Sequence, residues 1–242
     1  MALQQSTSVV MVPYQPKLGN KEYTPIPEGT YIGTFSRVMY FGTHNQIDPK
    51  TGNSYEQQKI SLTFEIDFRS EEGAEKNRMI STGYPITYSL SSKSRLTKLV
   101  RPWLASKFPA EDDPIGLNFD EMMDMPVMVS VINVERKNKE GKQVVYDEIS
   151  GLSMPPKGMP KFNVTQDKWI WSILFDLDLK QAEELRIPNF LVEFAKDSKE
   201  YRENKRAADS AALDRTVAEV FDAQLVGVSK TPTASNGDDF VF

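Results

Sequence analysis

Behind the turn signal Ile26-Pro27-Glu28-Gly29, residues Thr30 to Phe41 are dominated by β-branched and aromatic side chains, a pattern that predicts a long first strand. Gly33 predicts a bend in it, since a glycine inside a strand marks a bulge or a barrel corner. Tyr31, Phe35, Arg37 and Phe41 share one parity, while Ile32, Thr34, Val38 and Tyr40 share the other. The pattern alone leaves open which set faces the core. From Lys59 to Phe68 the alternation is clean, with Ile60, Leu62, Phe64, Ile66 and Phe68 against Lys59, Ser61, Thr63, Glu65 and Asp67. Period two with one apolar face predicts a half-buried strand. A charged turn over Arg69–Lys76 leads to a third strand over Met79–Leu90, where Pro85 indicates an edge or irregular position.

The period then changes. Leu96, Leu99, Val100, Trp103 and Leu104 recur at three- and four-residue spacing after Ser92, which is placed to cap a helix that Pro102 kinks or divides. A short helix over Asn118–Met123 precedes an apolar strand over Pro126–Val134. The polar tip Arg136–Lys142, with Asn138 and Gly141, joins it to a last strand over Val144–Leu152. Five strands with a helix between the third and fourth is the element order of an OB-fold, a small five-stranded barrel. The expected class is mainly β with added helices (α+β): an OB-fold-like barrel with an inserted helix and a helical C-terminal extension.

Outside that unit, 1–24 reads as a flexible N-terminal arm and 25–160 as the barrel domain, closed by the linker-like Pro155–Pro160. Residues 161–223 hold a strand or clamp over Lys168–Leu177, an amphipathic helix over 188–206 and a shorter one over 209–223. The Ser-, Thr-, Pro- and Gly-rich remainder, 224–242, reads as a disordered tether ending in Asp238-Asp239-Phe240-Val241-Phe242.

Composition narrows the chemistry. There is no cysteine and one histidine, His44, which removes disulfide frameworks, thiolate zinc sites, cysteine nucleophiles and histidine triads. No apolar run is long enough to span a membrane, and no signal peptide is evident at the N-terminus. No cofactor, metal or membrane partner is expected. The formal net charge of −5 argues against nucleic acid until its distribution is considered. Asp209, Asp214, Glu219, Asp222, Asp238 and Asp239 stand against Arg215 and Lys230 after residue 206, so the remainder of the chain is almost neutral.

Between Glu75 and Glu111 there is no acid, while Lys76, Arg78, Lys93, Arg95, Lys98, Arg101 and Lys107 are interleaved with Tyr84, Tyr88, Trp103 and Phe108. Cations neutralise phosphates, and aromatic faces stack on unpaired bases, so this mixture suits single-stranded DNA. The competing reading makes Trp103 and Phe108 core and the lysines solvated surface. The hairpin tip adds Arg136, Lys137, Lys139 and Lys142, followed by Tyr146, at the loop that helps OB-folds bind oligonucleotides. An ordinary exposed turn explains the same charges. Arg37 and Lys59 complete the candidate DNA contacts from the strands.

The run Tyr88-Ser89-Leu90-Ser91-Ser92-Lys93-Ser94-Arg95-Leu96-Thr97-Lys98-Leu99 to Trp103, then Phe119-Asp120 and Met125–Val131, resembles a family of phage-encoded replication-region proteins. The similarity covers roughly Ile26–Pro160 and implies an OB-fold single-stranded DNA binder. The C-terminus is similar to the acidic tip of bacterial single-stranded DNA-binding proteins in Asp238, Asp239 and Phe242. Val241 stands where that tip has proline, and Phe240 where it has an aliphatic residue. The likeness implies recruitment of replication or recombination proteins, of phage or host, through Asp238, Asp239, Phe240, Val241 and Phe242.

The expectation is therefore a non-enzymatic, sequence-tolerant single-stranded DNA-binding protein of phage replication or recombination, acting in the cytoplasm of an infected bacterium. Two alternatives stay open: a phage structural or inhibitory protein that uses the barrel to bind protein, and a carboxylate-metal nuclease. A homo-oligomer through the 188–223 helices is open as well.

Overall fold

Extended backbone continues well past Phe41, and the first strand, β1, spans Gly29–Ile47 in the computed structural model. Residues 24–68, 77–137, 141–159 and 165–211 are described. β2 (Ser54–Ile66) returns antiparallel to β1, and β3 (Arg78–Ser81) and the short β4 (Ile86–Thr87) both pair with β2. β5 (Pro126–Lys137) takes the other edge of β1 over Gly29–Thr34, and β6 (Gln143–Ser153) pairs with β5. Where β5 leaves that edge, β7 (Trp169–Ser172) lies parallel to β1 over Arg37–Tyr40. The result is a mainly antiparallel sheet ordered β3-β2-β1-β5-β6, with β4 and β7 off that path. β3 and β6 approach one another but share no ladder, so the sheet is not closed and the expected five-stranded barrel is not formed by its hydrogen bonds.

The bends of β1 fall after Gly33 rather than on it. Register shifts lie between Phe35 and Arg37 and between Tyr40 and Thr43, each one a bulge that sharpens local coiling. Gly33 answers a different need, because a Cβ there would sit 2.6 Å from the Glu65 carbonyl oxygen of β2. The first bulge also resolves the ambiguity of parity. Phe35 and Val38, of opposite parity, enter one core, whereas Met39 and Phe41 enter a second.

The main core lies between the sheet and α1 (Arg95–Leu104), whose Leu96, Leu99, Val100, Trp103 and Leu104 are buried. The cap is Ser94 rather than Ser92: its Oγ accepts from Thr97 N at 3.0 Å. Pro102 sits in the last turn without dividing the helix, which ends at Ala105 in a positive-φ conformation. α2 (Phe119–Met122), capped by Asn118, closes one side. The second core packs β7, α3 (Lys180–Glu184) and α4 (Asn189–Lys196) onto the outer side of β1 through Trp171, Ile173, Leu191 and Phe194.

Several expected elements are corrected. β2 is buried on both faces, not one, since Lys59, Ser61, Thr63 and Glu65 are covered too. The strand expected over 79–90 is interrupted at Gly83, Tyr84 and Pro85, leaving β3 and β4. The helix expected over 188–206 breaks at Asp197-Ser198, and α3 has no counterpart in the sequence pattern. The first compact unit ends at Tyr201; in the second, from Arg202, residues 202–211 are helical. The arm over 1–23, Lys139, most of the 209–223 helix and the tip Asp238–Phe242 lie outside the described residues.

Candidate nucleic-acid interface

Helical spacing sorts the acid-free stretch into two faces. Leucines and Trp103 turn inward, which leaves Arg95, Lys98 and Arg101 exposed on one outer stripe of α1, with Lys93 just before it. No acid occupies the first turn, although cations near a helix N-terminus oppose its dipole and acids there would stabilise it. Helix stability therefore does not account for Arg95 and Lys98. Lys93 and Lys98 form no ion pair among the described residues. Arg101 lies over the Phe108 ring at 5.2 Å.

Two connected depressions run beside this stripe. A cleft of about 530 Å³ is bounded by Lys59, Tyr84, Ile86 and Thr87 on the sheet side and by Lys93 and Arg95 on the helix side. A shallower one of about 300 Å³ continues over Lys93, Arg95, Lys98, Ile149 and Ser150. Lys93 and Arg95 belong to both. Glu148 of β6 accepts from Arg95 through one carboxylate oxygen and from Arg136 through the other, each at 2.7 Å. All three side chains are partly exposed, so each pair contributes roughly 0–1 kcal/mol and is open to exchange with a phosphate.

The remaining candidates divide sharply. Tyr84 lies at the cleft, partly exposed, with its ring edge-on to Phe194 at 5.6 Å; partial burial raises its phenol pKa. Lys59 is the cleft's buried floor, 8% exposed, and burial lowers the pKa of its ammonium. Lys137 and Lys142 are exposed at the ends of the β5–β6 hairpin. Arg37 is drawn away from the cleft: its Nε donates to Asp167 O at 3.1 Å and its guanidinium lies 5.1 Å above Trp169. Burial pushes its pKa down. Arg78 donates to Thr24 O at 2.8 Å and stacks on Phe68; it pairs opposite Ile66 at the end of β2, whereas β4 pairs opposite Lys59 and Ile60.

Two tyrosines expected as stacking platforms are structural. Tyr88 packs on the main core, and its hydroxyl accepts from Leu117 N at 2.9 Å. Tyr146 is only 6% exposed. Trp103 is wholly buried and donates to Pro126 O at 2.9 Å. Sequence reasoning missed Gln57, Thr87, Glu148 and Ser150, because their place at the site comes from strand pairing and not from local pattern.

Among the described residues, no three or more His, Cys, Asp or Glu side chains are grouped to hold a metal ion. Nor is any helix among them long and apolar enough to cross a membrane. No family model, curated protein or solved structure matches this chain. The chemistry of the site therefore carries the functional reading alone.

Proposed function

We propose that the chain is a non-enzymatic single-stranded DNA-binding protein of phage replication or recombination, holding the strand along the α1 stripe and the adjoining cleft. The observation that carries this reading is the acid-free row Lys93, Arg95, Lys98 and Arg101, exposed beside two depressions that share Lys93 and Arg95, the larger of them lined by Tyr84. Spaced cations track a phosphate backbone, and an exposed aromatic takes a base face. The strand order supports an OB-fold-like architecture: β1 central, β2 and β3 to one side, β5 and β6 to the other, and the helix between them in sequence. Protection of the strand is then stoichiometric, and the tip Asp238–Phe242 recruits replication or recombination partners.

Competition between labelled single strands and duplex of equal length tests this at low salt. Preferential binding of the single strand supports it; retention of neither, or preference for duplex, overturns it. A specific feature favours a second reading, protein binding through the C-terminal extension and not through the barrel. Phe175 is 88% exposed on a turn with Leu174 and Leu177, and the turn is held firmly. Buried Asp176 accepts from Trp171 Nε1, Gln181 N and Ala182 N at 2.7, 2.9 and 2.6 Å. On that reading Phe175→Ser removes partner binding and leaves single-stranded DNA unaffected.

A further inference from the structure

The floor of the larger cleft is a closed triad of polar side chains. Lys59 Nζ donates to Gln57 Oε1 and to Thr87 Oγ1, both at 2.9 Å, and Thr87 Oγ1 donates to Gln57 Oε1 at 2.9 Å. Gln57 Oε1 accepts twice, which fixes the amide orientation and leaves Nε2 as the unused end. Nε2 donates to no other described group, and one of the three ammonium N–H groups remains over. What the triad offers a further molecule is therefore donors. Beside it, the partly exposed Tyr84 ring supplies the apolar wall, with buried Pro85 and Ile86 behind it, and Lys93 and Arg95 line the rim on the helix side.

A donor-rich floor beside an apolar wall has a defined complement: a flat ring with an oxygen acceptor on its edge. A phosphate fits less well, because the exposed Lys93 and Lys98 offer it charge without the desolvation that the floor around Lys59 imposes. The volume, about 530 Å³, lies within the range of about 300 to 1,000 Å³ usual for small-molecule sites. Resting on the single-strand reading above, we propose that this cleft takes one unstacked nucleobase and selects for a ring carbonyl. Thymine, cytosine and guanine present that carbonyl, and adenine does not. In adenine, N1 and N7 each lie beside the amino group, whose N–H would face the donors of Gln57 and Lys59. The phosphates on either side of the selected base run over the α1 stripe, so the cleft adds base preference to otherwise sequence-tolerant binding.

The test is a set of fluorescence titrations of the full chain with oligo-dT, oligo-dC and oligo-dA of equal length, repeated with Gln57→Ala and Lys59→Met. The unsubstituted protein is expected to favour dT and dC over dA by about tenfold. Both variants should bring that ratio close to one by weakening dT and dC several-fold more than dA. Gln57 is only half-buried and serves as the folding-tolerant variant. An equal affinity for all three oligonucleotides, or a dT/dA ratio in Gln57→Ala equal to that of the parent, overturns the inference, because self-stacking of dA then explains any preference. Absence of binding to every oligonucleotide instead overturns the single-strand reading beneath it.

Discussion

Individual side chains in the acid-free stretch do one of two jobs, and burial separates them. Trp103 has no exposed surface, and its indole N–H is satisfied by Pro126 O, so it belongs to stability. Trp103→Ala should cost roughly 3–5 kcal/mol in urea unfolding; a loss under 1 kcal/mol would contradict that placement. Lys98 is exposed, without an ion pair among the described residues, and on the proposed reading belongs to binding. Lys98→Gln should leave the unfolding midpoint unchanged and reduce the salt slope for oligo-dT by about 0.7, the share of one neutralised phosphate. The sequence showed that this stretch was unusual, and the apolar spacing of α1 correctly predicted which residues turn inward. It did not separate Tyr84 from Tyr88. Both are tyrosines among cations, and long-range contacts make Tyr88 structural: its packing on the main core and the bond from Leu117 N to its hydroxyl, across 29 positions.

β1 and β2 show where pattern reading stops. Clean alternation in β2 predicts one wet face, yet the 165–166 segment folds over Glu65. Its carboxylate accepts from Thr165 N, Thr165 Oγ1, Gln166 N and Asn77 Nδ2 at 2.7 to 3.1 Å. A cover that arrives a hundred residues later leaves no mark on the period-two pattern. Burial alone would push the Glu65 pKa up, but these hydrogen bonds outweigh it, and the pKa falls below the usual value. The ionised form is thus favoured by folding. That stabilisation is present above about pH 4.3, the ordinary glutamate value, and is lost as pH falls through the lower folded value. Glu65→Gln should be less stable than the parent at pH 7, and the gap should narrow on acidification below about pH 4. A gap of constant size would contradict it. Gly33→Ala tests the strand pair directly: its methyl meets the Glu65 backbone at 2.6 Å, and strand separation should cost about 1–3 kcal/mol.

At the scale of the whole molecule, segregated charge is what makes the proposed anionic ligand compatible with an acidic chain. Most of the net −5 lies after residue 206, and the α1 stripe carries no acid at all. The mainly β class and most of the strands, including the one expected within Lys168–Leu177, were legible in the sequence, because turns and periodicity are local. The openness of the sheet, the parallel pairing of β7 with β1 and the Gln57–Lys59–Thr87 floor were not, since strand pairing across tens of residues creates them. Deleting Asp238–Phe242 should remove partner recruitment and leave DNA affinity equal or higher, read by pull-down and titration side by side. The central claim, a strand held by the cations of α1, is tested most directly by oligo-dT affinity between 50 and 200 mM salt. Four phosphate contacts, at Lys93, Arg95, Lys98 and Arg101, predict a log–log slope of about −3 and a loss of roughly fiftyfold over that range; a flat profile, or no binding at 50 mM, would contradict it.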